Sequence, residues 1–236
     1  TATDDSAAVI AVEALMLEKF RLEPFHNLHL LYGKMPSSFD QGGTCSDKTL
    51  SFLNAAREAG FDASLHSGFI DGREIHRLAR VHINGRIFFA DVGNGWPALK
   101  LYPADREIDY TCFGMGFRTE IAGQRVTVFH RVNGKEYRQL EIDVHGRLES
   151  EIRAEVATRF SSGVVYPFSG SLRFSLVVDD RFLFLRGERL EIHSDSGFEA
   201  VDGIEAAQVS AAVLQYFRYD IAPLLPEEAM LTDPAR

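Results

Sequence analysis

The chain has 236 residues, 45% hydrophobic and 25% charged, with a net charge of −9. That composition suits a soluble globular chain whose core needs neither metal nor disulfide framework, and the acidic balance argues against a nucleic-acid partner. Two cysteines, no apolar run of membrane-spanning length and no signal-peptide pattern point to a reducing compartment, the cytoplasm, with no membrane partner. The first residue is not methionine, which reads as a trimmed start.

From about Ser6 to Gly60 the pattern is helical, with Val9, Val12, Met16 and Phe20 at helical spacing. A short loop, "EPFHNLHLLYG", precedes a second helix that follows Cys45. That helix carries Phe52, Leu53 and Ala56 on one face, and Gly60 is placed to cap its C-terminus. From about Gly68 to Glu149 short strands alternate with turn signals. "RVHINGRIFFAD" and "FHRVNGKEYRQLEI" are hairpins turning at Asn84-Gly85 and Asn133-Gly134. Evenly spaced short strands suggest a barrel or sandwich. From near Ser161, "SLRFSLVVDDRFLFLRGERLEIHS" reads as a three-stranded meander. A helix follows, with Val209, Ala212, Val213, Tyr216 and Phe217 on one face. The chain thus divides into a helical region (1–67), a strand region (68–160) and an α/β region (161–236), without repeats or a long linker.

Cys45 opens the second helix in "QGGTC". A helix N-terminus favours thiolate, the reactive form of cysteine, and its free N–H groups can stabilise an oxyanion. Gly42-Gly43 lets a second backbone or a substrate approach closely. A buried structural cysteine is the alternative. A nucleophilic cysteine needs a base, and the base an orienting group. Eight histidines are available, and the Asn84-Gly85 turn narrows them. A two-residue turn pairs Ile83 with Arg86, Val81 with Phe88, Leu78 with Asp91 and His76 with Gly93. His76 and Asp91 are then diagonal neighbours on one face, ~7–8 Å apart at the backbone, close enough for imidazole and carboxylate to meet. His82 pairs with Ile87, too far from Asp91. An aspartate that merely ends a strand in "DVGNG", and a histidine satisfied within a core, remain the alternatives.

Other residues are less directive. Arg77, Arg80 and Arg86 could bind a small anion or form a solvated face. Cys112 in "YTCFGMGF" reads as structural, and Gly114 and Gly116 there do not follow the strand-to-helix step of a dinucleotide fingerprint. His26 and His29 could line a cleft, or pack. His66, His130, His145 and His193 lack ligand spacing, and no metal is expected. Trp96 could shape a pocket rim or fill the core.

The chain resembles the arylamine N-acetyltransferases. "RLEPFHNLHLLYG" resembles that family's "PFENL" segment, "QGGTC" its "RGG-x-C" nucleophile motif, and His76 with Asp91 in "DVGNG" its histidine and "D-[VA]-G-x-G" aspartate at the same spacing. "EVATRFSSG…RFSLVVDDRFLFLRGERLEI" resembles its C-terminal region. The likeness spans nearly the whole chain. It implies an α+β fold: a helical N-terminal part, a central antiparallel β-barrel and a C-terminal α/β lid, with a cysteine-protease-like Cys-His-Asp arrangement.

The resemblance also implies a triad of Cys45, His76 and Asp91 that passes an acyl group from acetyl-coenzyme A or another thioester to an amine-type acceptor in a ping-pong reaction, with no permanently bound cofactor. By position, Gly43, Thr44, Gly93, Asn94 and Gly95 fall near the substrates. Gln41 stands where the motif has arginine, Ser46-Asp47 where it more often has an apolar residue and Glu or Gln, and the run before Cys45 is shorter than the family's. These departures leave open an amide synthase fed by a carrier protein, a hydrolase with the same triad, or an inactive binding relative.

Overall fold

The structure is a computed structural model, and it describes residues 5–159, 168 and 170–226. Helix α1 (Ser6–Leu22) buries Val12, Met16 and Phe20, one side chain per turn. A two-residue strand β1 (Phe25–His26), a short helix α2 (Leu28–Tyr32) and a 3₁₀ turn (Phe39–Gln41) fill the loop before helix α3 (Cys45–Glu58). Phe52, Leu53 and Ala56 of α3 are buried, as the spacing requires. The helices are tied by Lys48, itself buried. Its ammonium donates to the carbonyl oxygens of Lys19, at 3.0 Å, and Glu23. Lys19 O also accepts from Glu23 N–H at 3.1 Å, so Lys48 closes on the last turn of α1 and the residue just past it.

Eight strands then form one antiparallel sheet: β2 (Asp62–Ile70), β3 (Arg73–Ile83), β4 (Arg86–Ala90), β5 (Tyr102–Pro103), β6 (Asp109–Cys112), β7 (Met115–Ala122), β8 (Arg125–Val132) and β9 (Lys135–Asp143). Their order is β5-β4-β3-β2-β9-β8-β7-β6. The strand pattern suggests a barrel, but β5 and β6 do not pair, so the sheet is a half-barrel. Asn84-Gly85 and Asn133-Gly134 both take positive φ at both residues, the turn that matches strand twist. They set the registers Ile83↔Arg86 and Val132↔Lys135. Helix α4 (Glu149–Thr158) follows and buries Ile152 and Val156.

The last part is a second antiparallel sheet. It contains β10 (Arg173–Val178), β11 (Arg181–Arg186), β12 (Arg189–Ser194) and β13 (Gly197–Val201), with β1 paired to the outer edge of β10. β11 shows why it sits between two layers. Phe182 and Phe184 join the core shared with the half-barrel, whereas Leu183 and Leu185 join a second cluster. Val213 and Phe217 cover that second face from α5 (Val209–Ala212) and the π-helical turn that continues it (Val213–Phe217). β13 is absent from the sequence expectation because its residues are almost all exposed and carry no apolar alternation. The expected boundary at 160/161 and part of "EVATRFSSG" lie outside the described residues. No helix among the described residues is long and apolar enough to cross a membrane.

Candidate active site

The loop before Cys45 lies on β1. Gly43 N–H donates to Pro24 O at 3.1 Å, and His26 N–H donates to Gly43 O at 2.9 Å. Gly42 has φ +69°, and a Cβ there would stand 1.9 Å from Pro24 O. The paired glycines thus serve a backbone-to-backbone seat. Asp47, in the first turn of α3, accepts from Thr44 N–H at 2.9 Å and Thr44 Oγ1 at 3.0 Å, and pairs with Arg159 at 2.6 Å. The acidic residue after the cysteine is therefore a helix-start clamp.

Two of the positions where the motifs read differently touch each other. His26 replaces the glutamate of "PFENL" and Gln41 the arginine of "RGG". His26 Nε2 donates to Gln41 O at 2.8 Å, while its Nδ1 accepts from Leu28 N–H at 3.3 Å. Each ring nitrogen thus has the role it takes in a neutral imidazole. Burial is the largest influence on His26 and lowers its pKa to about 4. Gln41 Oε1 accepts from Ser37 N–H at 2.7 Å and Ser37 Oγ at 3.2 Å. Neutral hydrogen bonds anchor this loop without a charge at position 41.

The β3–β4 ladder runs in the expected register from Ile83↔Arg86 through His82↔Ile87 to Ala79↔Ala90, and stops there. Asp91 is the first residue past the ladder rather than a partner of Leu78. It is nevertheless fully buried, and His76 Nε2 lies 2.5 Å from its Oδ1. Its Oδ2 accepts from Asn94 Nδ2 at 2.8 Å, and Asn94 Oδ1 accepts from Trp96 N–H at 3.0 Å and Gln139 Nε2 at 3.3 Å. Burying a carboxylate is tolerable when both oxygens are bonded in this way.

The Cys45 thiol donates to Ile75 O at 4.0 Å, and His76, whose Nε2 is committed to Asp91, borders the same cavity as Cys45 and acts on it electrostatically. Burial disfavours the imidazolium most strongly. The charge and hydrogen bond of Asp91, followed by the Cys45 contacts, outweigh it and raise His76 to about 10. For Cys45, burial disfavours the thiolate, yet His76, with smaller contributions from Arg77, holds its pKa below 9.0. The pair therefore favours thiolate–imidazolium. Gly93 brings the "DVGNG" loop against the start of α3: a Cβ there would lie 2.7 Å from Arg77 O and 2.8 Å from Cys45 Cα.

Cys45, His76, Asp91, Gly93, Asn94 and Gly95 all border one cavity of about 440 Å³. Its other walls are mainly apolar, including Phe25, Ile75, Trp96, Leu140 and Phe184. Thr44 faces a separate small recess behind Cys45, and Gly95 O accepts from Ser175 Oγ at 2.7 Å. Trp96 does both things the sequence allowed, bordering the cavity and packing on His130 and Phe184 at 4.8 and 4.9 Å between ring centroids. Sequence reasoning missed the wall residues Tyr137, Gln139 and Arg173, for which no motif or periodicity gave a signal.

Arg77, Arg80 and Arg86 form no common site. Arg77 is buried and pairs with Glu155 at 2.9 Å, Arg80 donates to Val144 O and His145 O, and Arg86 clamps Asp5 and Asp105. His26 and His29 are buried away from the cavity walls. Burial raises the Cys112 thiol to about 12, an inert value. Among the described residues, no group of three His, Cys, Asp or Glu side chains is arranged to hold a metal ion.

No family model and no curated protein matches the chain. Solved structures do match over nearly all of it. An arylamine N-acetyltransferase of Mycobacterium smegmatis superimposes with a TM-score of 0.77 at 22% identity, covering 95% of this chain and 90% of that one. The Salmonella typhimurium enzyme gives 0.78 at 19% identity, covering 95% and 90%. The Mycobacterium marinum enzyme, solved in complex with CoA, gives 0.77 at 19% identity, covering 98% and 93%. The chain has the arylamine N-acetyltransferase fold.

Proposed function

We propose that this chain is a divergent arylamine N-acetyltransferase-type enzyme that transfers an acyl group, acetyl in the first instance, from a thioester to an amine through Cys45. The observation that carries the reading is the single imidazole between Cys45 and the buried carboxylate of Asp91, at the floor of an apolar cavity. The shared fold supports it, as does the CoA complex of the M. marinum enzyme, which points to acetyl-coenzyme A as the donor here.

The residues divide the chemistry as follows. Cys45 thiolate attacks the thioester carbonyl, and the N–H groups in the first turn of α3 face the oxyanion that forms. The C–S bond to the donor breaks, and the leaving thiolate takes the proton from His76. An amine then attacks the acyl-Cys45 carbonyl and gives its proton to the now neutral His76. Amide forms and Cys45 leaves as thiolate. Asp91 fixes the imidazole tautomer and stabilises its cation, without itself taking a proton. The apolar walls disfavour water, so the acyl-enzyme waits for an amine rather than hydrolysing.

Incubation with acetyl-coenzyme A, followed by intact mass, is expected to give a one-acetyl adduct that is absent in Cys45→Ala and discharged by an aromatic amine. An adduct only from an acyl chain borne on a carrier protein would redirect the reading to an amide synthase. No adduct from either donor would overturn it.

A further inference from the structure

The β10–β11 ladder sets Arg173 directly opposite Arg186, a position where like charges repel. Arg186 has a counter-charge. It pairs with the Glu191 carboxylate and lies over the rings of Trp96 and Phe184, at 5.4 and 5.6 Å from their centroids. Arg173 differs. Its Nη1 donates to Ser171 Oγ at 2.9 Å and Leu172 O at 3.1 Å, and it has no carboxylate partner among the described residues. It is only partly exposed, and its side chain borders the cavity that holds Cys45. Burial first, and then the charge of Arg186, make this guanidinium easier to deprotonate than usual, as expected of a cation short of a counter-charge.

The cavity's other charges do not answer it. Asp91 is committed to His76 and Asn94. Asp71 sits in the β2–β3 turn, and Arg138 is a second cation, 3.4 Å from Glu141. A partly buried guanidinium presents a planar fork suited to two oxygens of an anion.

We infer that Arg173 is an anion-binding residue of the cavity, holding a carboxylate or phosphate group carried by one of the two substrates. The inference rests on the acyl-transfer reading for the word substrate, and it makes Arg173 a determinant of specificity: of the acceptor if the anion is a carboxylate, of the donor if it is a phosphate.

The test uses protection of Cys45 from the neutral reagent iodoacetamide, followed by intact mass, and so needs no acyl transfer. The ligands are 4-aminobenzoate against 4-aminobenzamide, and desulfo-coenzyme A against desulfo-pantetheine, none of which carries a thiol that would consume the reagent. In the wild-type protein one anionic ligand is expected to protect at about tenfold lower concentration than its neutral counterpart, the scale of a charge-assisted hydrogen bond. Arg173→Gln is expected to erase that advantage, and Arg173→Lys to keep part of it. Arg125→Gln, at an exposed ion pair with Glu141, controls for overall charge. The arm that loses its advantage identifies the substrate that carries the anion.

Equal protection by charged and neutral ligands in the wild type, or an advantage that survives in Arg173→Gln, overturns the inference. Should Arg173→Gln fail to fold, the wild-type contrast and the Lys variant decide. Arg173-dependent protection in a protein that never acetylates would leave the anion site standing and remove the acyl-transfer reading instead.

Discussion

Asn94 Nδ2 donates to the one oxygen of Asp91 that His76 does not use, at 2.8 Å. The carboxylate is thus held from both sides, and its direction toward the imidazole is not its own choice. Asn94 is in turn fixed by Trp96 N–H and Gln139, so the orientation of His76 is tied to the cavity wall. By position alone Asn94 is a residue near the acceptor; its bonds make it a positioning residue for Asp91. Asn94→Ala is expected to slow both acylation by acetyl-coenzyme A and alkylation of Cys45 by about tenfold, the loss expected for a hydrogen bond to a buried charge. A slower acylation with unchanged alkylation would place its role at the substrate instead.

The pH dependence of Cys45 reactivity carries a clear sign. Its pKa lies below 9.0 while that of His76 is raised to about 10. The thiolate–imidazolium form therefore exists between the lowered thiol value and about 10, and reactivity falls as pH drops through the lower limit. In His76→Gln the dominant remaining influence on Cys45 is burial, which favours the neutral thiol. The acid limb of the iodoacetamide rate profile is expected to move up, past 9.0. An unmoved limb would show that His76 does not stabilise the thiolate.

Gly93 offers a packing test. Its absent side chain admits Arg77 O and Cys45 Cα at distances that no Cβ tolerates. Gly93→Ala must push the "DVGNG" loop away from α3, at about 1–3 kcal/mol for overpacking. Thermal unfolding should fall by several degrees, and Cys45 alkylation should slow with it, because the same shift parts His76 from Cys45. A destabilised variant with full thiol reactivity would mean that α3 yields and the loop does not.

Restoring the family's letters one at a time should do harm. Gln41→Arg removes the acceptor for Ser37 N–H and Oγ, an exposed loss of at most about 1 kcal/mol. His26→Glu is worse. It replaces a donor to Gln41 O with an ionisable acceptor at a fully buried position, at about 3–5 kcal/mol, the range for an uncompensated buried charge. Chemical denaturation would rank the two variants, and a milder effect for His26→Glu would refute this account of the loop.

Much of the site was legible because two-residue turns are rigid counters. Asn84-Gly85 fixes every pair from Ile83 back to Ala79, and so carries His76 and Asp91 to the same end of one hairpin. The count ran past the end of the ladder, to Asp91 and Gly93, since the ladder stops at Ala90 and Asp91 turns away into its own hydrogen bonds. The meeting of that hairpin with Cys45 was visible only through resemblance. It depends on the close approach at Gly93 and on a strand two residues long, neither of which has a periodicity to read. β13 escaped for the opposite reason: an edge strand exposed along nearly its whole length has no buried face to set an alternation. Arg173 was hidden in "SLRFSLVV", because alternation says which residues share a face but not which face meets the cavity.

The strand β1 places a constraint on how the protein comes into being. It pairs with β10, whose residues are made almost 150 positions later, and it is also the seat of Gly43. Because a chain emerges N-terminus first, the nucleophile's loop has no complete seat while the half-barrel is being made. The strand that seats Gly43 therefore gains its sheet partner only when β10 arrives, long after Cys45, His76 and Asp91 have been made.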